Sequence, residues 1–388
     1  MCFGPFARLY HWGPLTALAI IKLVTGMTVH CSSMIWPTDT PGGLVNIFGF
    51  MALSGLSIYN FLAAAFHGPG FLPHKWTPEK EDDISELQYC GVCQGYKAPR
   101  AHHCRKCGRC TLKMDHHCPW INNCVGWGNH AHFTYFLLFS VLGCMHATVI
   151  LSACMYRGFY RIWYMYYTPN IPQVQFSISS VVICIFSLGL AIGVVFAVGM
   201  LLFFQLRSIG RNRTGVEEWI YDKAVRRRQN TEKVFKFPYD LGIYQNIKQV
   251  VNLSGNPIGD GITWKVAEGC DQYTLTREQL AQKAEKKQRA KMYQIIQPAS
   301  GYWFPISKGL YVLMSSPCTE DPRIKLEIDD TVLVTRWNKH WLFGEKMQPN
   351  IPESEKALNR VRGWFPRKCA VQMIEPTSPS PKHSKKRN

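Results

Sequence analysis

Four long apolar stretches, a doubled Cys/His pattern between the second and third of them, and a C-terminal run of short β-rich segments predict the fold class. It is an α-helical membrane protein with four transmembrane helices, a cytosolic two-zinc cysteine-rich domain between helices 2 and 3, and a small C-terminal β-barrel domain. The apolar stretches are Leu15–Ile35, Leu44–Phe66, Phe133–Met155 and Ile178–Leu206. Each reaches the ~20 residues a helix needs to cross ~30 Å of hydrocarbon. A soluble fold would require four all-apolar core helices and is set aside. Lys22 and His30 interrupt the first stretch, and Lys22 is expected to snorkel rather than face the bundle interior.

Four spans place both termini on one side. The 36–43 loop has no Lys or Arg, and 156–175 has only Arg157 and Arg161. The 67–132 loop is rich in both, and Arg207, Arg211, Arg213, Lys223, Arg226, Arg227 and Arg228 follow the fourth span. The positive-inside rule therefore puts both termini and the 67–132 loop in the cytosol. No convincing cleavage site follows the first span, so it is read as retained. The net charge of +18 suits attraction to anionic lipid, or to an acidic cofactor such as a nucleotide thiol ester. Nucleic acid is a poorer explanation, because the basic residues flank spans and metal ligands.

Seven of the fifteen cysteines lie between Cys90 and Cys124, in a loop assigned to the reducing cytosol. Metal binding is the better reading than disulfides there. Cys90, Cys93, His103 and Cys110 form C-x2-C-x9-H-x6-C, and the same pattern recurs 14 residues later as Cys104, Cys107, His117 and Cys124. Each Cys3His set suits tetrahedral zinc. The two sets use eight ligands and leave Cys118 over. It stands 14 residues after Cys104, where a third unit would begin, but Ile121, Ala131 and Leu138 occupy the remaining ligand positions. Asp115 and His116 precede it. An imidazole can take a thiol proton and a carboxylate can orient the imidazole, so these are the parts of an activated nucleophile. A spare structural thiol or an exchanging zinc ligand are the alternatives at this point. His102, which matches His116 in the repeat, reads as a polar group behind the metal ligands.

Cys118 lies about 15 residues before the third span, near the cytosolic face. A substrate with a lipid tail would place the tail between helices and its head among Lys97, Arg100, Arg105, Lys106, Arg109 and Lys113. The segment Cys90–Cys124, with Asp-His-His-Cys at 115–118, resembles the cysteine-rich domain of the DHHC protein S-acyltransferases, and the four-span layout of residues 1–250 is similar to theirs. The resemblance implies a two-step transfer. Cys118 takes a fatty acyl group such as palmitoyl from acyl-CoA as a thioester, then passes it to a cysteine of a membrane-associated protein. Asp115 and His116 would activate Cys118, and two zinc ions would be structural. Lys97, Arg100 and His102 match a K-x-x-R-x-H stretch expected to meet CoA phosphates, and Trp120 matches an aromatic near the head of the acyl chain. Gly143 matches a chain-length gauge on the third helix; lacking a side chain, it predicts acceptance of chains of about C16 or more. Two motifs depart from the family pattern. Gly68-Pro69-Gly70 stands for Asp-Pro-Gly, and Thr214-Gly215-Val216-Glu217 stands for Thr-Thr-x-Glu, which puts the contacts of those side chains in doubt. Asn246 matches an asparagine expected to be structural.

Residues 276–293 read as a charged helix or linker. The runs "GLYVLMS", "LEIDDTVLVTRW", "KHWLFGEK" and "RGWFPRKCAVQMI" read as short strands. They resemble an SH3 domain, with Leu310-Tyr311 at the first strand, Trp341 at the groove tryptophan and Pro366 in the "GWFP" strand. Cys369 stands where a groove tyrosine is usual, so an atypical groove and a protein partner are implied. The terminal Lys385 and Lys386 resemble a di-lysine retrieval signal of endoplasmic reticulum membrane proteins. The expected organisation is spans one and two in 1–66, the zinc domain in 67–132, spans three and four in 133–206, a juxtamembrane region and linker in 207–300, the SH3-like domain in 301–376 and a disordered tail in 377–388. A zinc adaptor without catalysis, a channel and a nucleic-acid binder are the rival readings. The adaptor predicts a dispensable Cys118, the channel needs more intramembrane polar groups than Lys22, His30 and His146, and the nucleic-acid binder predicts salt-dependent oligonucleotide binding.

Overall fold

The computed structural model describes residues 4–232, 234–252, 254–319, 321–348 and 360–373. Lys385 and Lys386 lie outside the described residues. The chain divides into two compact units, Met1–Glu278 and Gln279–Asn388.

The four apolar stretches form α1 (Trp12–Ile35), α2 (Pro41–Phe66), α3 (His130–Phe159) and, after a short α4 (Arg161–Tyr167), α5 (Ile178–Gly210). All four of the long helices are long and apolar enough to cross a membrane. Their starts follow from local chemistry. Thr40 caps α2 ahead of Pro41, whose missing N–H costs nothing at a helix start. The Ser177 hydroxyl accepts from the Ser180 N–H at the start of α5. The outer faces carry exposed Val45, Phe48, Val182, Phe186 and Phe196, as expected of helices whose solvent is lipid. Lys22 points outward, as snorkelling requires. Between helices, hydroxyl pairs close short contacts: Thr25–Ser54 at 2.8 Å and Ser57–Ser140 at 2.7 Å. Such polar contacts hold helices together where lipid removes the hydrophobic drive. The sequence reading had no α4; its exposed Ile162, Trp163, Tyr166 and Tyr167 have the composition of a membrane-interface segment.

Between α2 and α3 lie three small antiparallel hairpins. They pair β1 (Gln88–Cys90) with β2 (Gly95–Lys97), β3 (His102–Cys104) with β4 (Arg109–Thr111), and β5 (His116–Cys118) with β6 (Asn123–Val125). Each hairpin is the previous one shifted by 14 residues. The repeat that supplied two ligand sets in sequence is thus a repeat of three structural units. The module is seated by backbone approach at glycines. A Cβ on Gly128 would lie 2.3 Å from the Gly68 carbonyl oxygen, and one on Gly126 would lie 2.7 Å from that of Pro69. The Gly68-Pro69-Gly70 turn also accepts from the Gly128 N–H and, at Gly70, from the Leu112 N–H. Two buried asparagines finish α2, whose last carbonyls have no partner inside the helix. Asn123 Nδ2 donates to the carbonyls of Ala64, Ala65 and His67, and Asn129 Nδ2 to those of Ala64 and Cys124.

After α5 come α6 (Gly215–Arg227), α7 (Ile243–Lys248) and α8 (Thr274–Gln288). The buried Asn246 donates to the Gly210 carbonyl (2.9 Å) and to Asp240 (2.7 Å), tying α7 to the end of α5.

The C-terminal unit holds β7 (Lys291–Ile295), β8 (Ala299–Ser300), α9 (Leu310–Met314), β9 (Lys325–Leu326), β10 (Thr331–Trp337), β11 (Trp341–Lys346), β12 (Arg362–Pro366) and β13 (Ala370–Gln372). Five strands make one antiparallel sheet in the order β12-β11-β10-β7-β13, and β8 pairs with β9. The pairings leave this sheet open rather than closed into a barrel. Two expectations are corrected. Leu310 and Tyr311 lie in the helical α9, and the first strand is β7. Trp341 does not line an open groove: it is 1% exposed, because α9 covers it and its Nε1 donates to the Val312 carbonyl at 3.0 Å.

Replacing Asn129 by alanine leaves the Cys124 carbonyl and the Gly126 N–H without their side-chain partner, and the Ala64 carbonyl with Asn123 alone. Buried unpaired groups cost about 1–3 kcal/mol each. The expected outcome is a clearly lowered thermal unfolding temperature in detergent with the zinc content of the folded protein unchanged. An unaltered melting temperature would show that this cap contributes little.

Candidate active site and metal centres

The hairpins assemble two clusters. Cys90 and Cys93 of the first hairpin meet His103 and Cys110 of the second; Cys104 and Cys107 of the second meet His117 and Cys124 of the third. The ligand atoms of each set lie within 4.8 Å of one another. Cys93 Sγ is 3.4 Å from His103 Nδ1, and Cys107 Sγ is 3.4 Å from both His117 Nδ1 and Cys124 Sγ. Zinc bonds of about 2.0–2.3 Å in a tetrahedron require ligand separations of roughly 3.4–3.8 Å. Donor chemistry and spacing both fit zinc, closed on four protein ligands in each set. Bound there, the metal would cross-link adjacent hairpins.

Cys118 belongs to neither cluster. It ends β5, as Cys90 ends β1 and Cys104 ends β3. In the first two hairpins this cysteine finds a ligand set on the next hairpin. After the third comes α3, so Cys118 has no such partner. It lines instead a cavity of about 400 Å³ between the helices. Phe133, Leu137, Ser140, Gly143 and Cys144 of α3 form one wall, and Ala17, Val24, Thr25, Phe50, Ser54 and Gly193 are among the others. From Phe133 to Cys144 the wall runs about 16 Å at 1.5 Å per residue. That is about half of a ~30 Å hydrocarbon core, the depth occupied by the acyl chains of one leaflet. Gly143 lines the cavity, and a Cβ there would meet nothing closer than Leu53 Cβ at 3.8 Å. Trp120 stands at the mouth, edge-to-face with Trp12 at 5.4 Å.

His116 Nδ1 donates to Asp115 Oδ2 at 2.9 Å. This fixes the tautomer and leaves Nε2 for the Cys118 thiol, with which His116 also interacts. The imidazole sits edge-on to Phe133 at 5.3 Å and is 43% exposed, so an incoming group can reach it. Burial works against ionisation of Asp115, but the His116 hydrogen bond and charge and the Gly215 N–H outweigh it and hold the carboxyl down at about 2. Burial likewise opposes a charged His116, yet hydrogen bonds to Asp115 and Cys118 lift it to about 10.

The second oxygen of Asp115 accepts from the Gly215 N–H at 2.9 Å. Gly215 is the first residue of α6, so the contact uses one of the unpaired N–H groups at a helix start. The departure from Thr-Thr-x-Glu removes a side chain at 215, and the backbone supplies a donor to Asp115. Thr214 and Glu217 form a capping box at the same helix start. Glu217 is fully buried and also takes the guanidinium of Arg100, with contacts of 2.6 and 2.7 Å.

Arg100 is therefore placed differently from the expectation that it meets CoA phosphates. It is 3% exposed, bonded in addition to Asn212, and covered by the rings of Tyr239 and Trp264 at 4.3 and 4.7 Å. Lys113 is also buried; burial and Arg100 lower its pKa to about 7 against the pull of Glu217 and Asp115. Arg109 bonds the Leu72 carbonyl at 3.0 Å. Arg105 and Lys106 are exposed, and Lys97 and His102 are partly exposed on the knuckle strands, away from the cavity lining. Asn212 was missed as part of the site, and Gly215 and Glu217 were noted only as a departing family motif whose contacts were in doubt. Neither that motif nor its Thr-x-x-Glu capping pattern reveals a partner a hundred or more residues away.

Residues 83–222 match the DHHC palmitoyltransferase family. The chain is 47% identical to Palmitoyltransferase ZDHHC6 of Danio rerio over 95% of this chain and 92% of that protein. It is 46% identical to Palmitoyltransferase ZDHHC6 of Homo sapiens, over 93% and 91%. It is 34% identical to Probable protein S-acyltransferase 16 of Arabidopsis thaliana, over 59% of this chain and 83% of that one.

Glu217→Gln removes the charge that neutralises Arg100. Breaking one side of a buried pair costs about 3–5 kcal/mol. The expected result is a marked loss of thermal stability together with loss of activity, read by thermal unfolding alongside an acyl-transfer assay. A variant with full stability would show that Arg100 is compensated elsewhere.

Proposed function

The chain belongs to the DHHC palmitoyltransferase family and is a protein S-palmitoyltransferase, and from that premise we propose that Cys118 is its acyl carrier. The single observation that carries this is that Cys118 lies outside both metal sets while facing an apolar cavity, beside His116 and Asp115.

His116 accepts the Cys118 proton, and the thiolate attacks the carbonyl carbon of a palmitoyl-CoA thioester. The carbon–sulfur bond to CoA breaks, and the CoA sulfur leaves with the proton held by His116. The acyl chain remains on Cys118 as a thioester, its tail in the cavity. In the second half a cysteine of a membrane-associated protein gives its proton to His116 and attacks the same carbonyl. Cys118 leaves and recovers the proton. Asp115, oriented by Gly215, holds the imidazole and stabilises its charged form. The eight ligands would hold two structural zinc ions that order the hairpins, and no step passes through them.

Lys97 and His102 are the proposed contacts to CoA phosphates, with exposed Arg105 and Lys106 supplying charge around them. Trp120 bounds the head of the acyl chain. The protein is a multi-pass membrane protein. The basic loops support cytosolic termini, and residence in the endoplasmic reticulum membrane is proposed with them. The C-terminal unit is proposed to be SH3-like and to serve binding rather than catalysis; its strand order and the sequence likeness support this.

Autoacylation tests the carrier. Purified protein in detergent receives labelled palmitoyl-CoA, and hydroxylamine-sensitive label is compared in wild type and Cys118→Ser with zinc measured in both. Label on wild type alone, at about two zinc ions per chain in each, is expected. Equal label on both would sink the assignment. Gly143→Tyr would fill the cavity wall and shift the acyl-CoA profile from about C16 towards shorter chains. An unchanged length profile would remove Gly143 as a gauge.

A further inference from the structure

We propose that segment 302–314 of the C-terminal unit, which ends in α9, is a lipid-docking surface for a bilayer that carries anionic headgroups. The proposal does not depend on the catalytic assignment.

Tyr302, Phe304, Ile306, Leu310, Tyr311 and Met314 are 74%, 68%, 80%, 65%, 77% and 78% exposed. They are not a failed core. The unit's interior is closed by Ile295, Val332, Leu342 and Phe365, which are all essentially buried. Six large apolar side chains exposed within thirteen residues are more than a soluble domain usually leaves uncovered. Mixed Tyr, Phe, Ile, Leu and Met at one surface is the composition of an interfacial anchor.

The segment is presented by a rigid base. Val312 is fully buried, and its carbonyl accepts from Trp341 Nε1. Arg323 is covered by Trp303 at 4.0 Å and Trp341 at 5.2 Å. Holding the base this way leaves little ordering to be lost on docking.

Basic groups adjoin the apolar tip. Lys368 Nζ lies 3.6 Å from where a Cβ on Gly309 would stand. The Tyr311 ring stacks on His340 at 6.3 Å, and the Arg367 N–H donates to the His340 carbonyl at 2.9 Å. Lys339, Arg367 and Lys368 are exposed. Asp321 is already taken by Arg336 at 2.7 Å. This charge complements anionic lipid, at about fivefold in affinity per cation near the surface. A polyproline peptide is the weaker occupant, because the tryptophan expected to hold it is buried and the tip is as aliphatic as it is aromatic. Tethering to a spanning segment also keeps the bilayer at high effective concentration.

The test uses the full chain in nanodiscs of phosphatidylcholine with or without phosphatidylserine. p-Benzoylphenylalanine replaces Tyr311, or Ile328 in the acidic Glu327–Asp330 turn as a control, and adducts are identified by mass after irradiation. Lipid adducts at 311, few at 328, and a yield that rises with phosphatidylserine are expected. Lys339→Glu with Lys368→Glu should lower that yield by about 25-fold or more. Adducts of position 311 on this chain or on an added proline-rich peptide, or equal lipid labelling at 311 and 328, would overturn the proposal. A yield indifferent to the charge reversals would overturn the headgroup contact.

Discussion

The geometry of the reactive centre rests on one buried ion pair. Arg100 leaves the second hairpin and meets Glu217, the third residue of α6, across the interface between the zinc module and the segment after α5. A buried pair of this kind is weak evidence for net stability, because desolvation offsets much of the attraction. What it fixes is position. Glu217 is also half of the capping box that starts α6, and the residue between the cap and that glutamate's turn, Gly215, offers its N–H to Asp115. Asp115 holds His116, and His116 faces Cys118. A displacement at Arg100 is therefore transmitted to the thiol through four directional contacts: Arg100–Glu217, Gly215–Asp115, Asp115–His116 and His116–Cys118. Asn212 and the rings of Tyr239 and Trp264 leave the guanidinium no alternative partner of equal quality.

The second constraint is the period of 14. Each hairpin ends its first strand on a cysteine; the first two offer a pair of cysteines to the hairpin that follows, and the second and third offer a histidine and a cysteine to the one before. Two metal sets among three hairpins consume every ligand position except the last terminal cysteine. No fourth hairpin follows to offer Cys118 a histidine and a cysteine, and Ile121 stands where its knuckle partner would be. The chain instead enters α3, whose first turns supply Phe133 and Leu137 to the cavity. A free thiol thus arises where the repeat stops, and it stops at the membrane face. The same hairpin repeat that builds two sets of metal-binding geometry leaves Cys118 outside both.

Much of this was legible in the residues. The apolar stretches marked all four spans to within about four residues, because an uncharged run longer than ~20 residues admits few other folds. The ligand sets were legible because their spacing is covalent and local. Arg100 was misread because a cation in a basic loop looks like a surface charge until its partner is known, and Glu217 lies 117 residues away. Lys113 was misread for the same reason. In the C-terminal unit the apolar runs announced strands correctly from Thr331 onward, but "GLYVLMS" is equally apolar as a helix. Short runs of that length carry no period that separates the two, and the tertiary contact of Val312 with Trp341 decided it.

The placement of the cavity explains why such chemistry belongs in a membrane. A long acyl chain is expensive to hold in water, at about 0.8 kcal/mol per CH₂, whereas a thiol needs water or a polar base to lose its proton. Cys118 sits at the border between the two demands. Below it, α1, α3 and α5 supply Val24, Leu137 and Gly193 to an apolar wall; beside it, His116 and Asp115 form a hydrogen-bonded polar pair. A thiol deeper in the bundle would lack its base, and one farther into the hairpins would lack the chain's solvent. The asparagine and glycine contacts that seat the module on the end of α2 hold the sulfur at that border. The docking of the zinc module against the membrane helices is thus as much a part of the site as the residues that touch the acyl group.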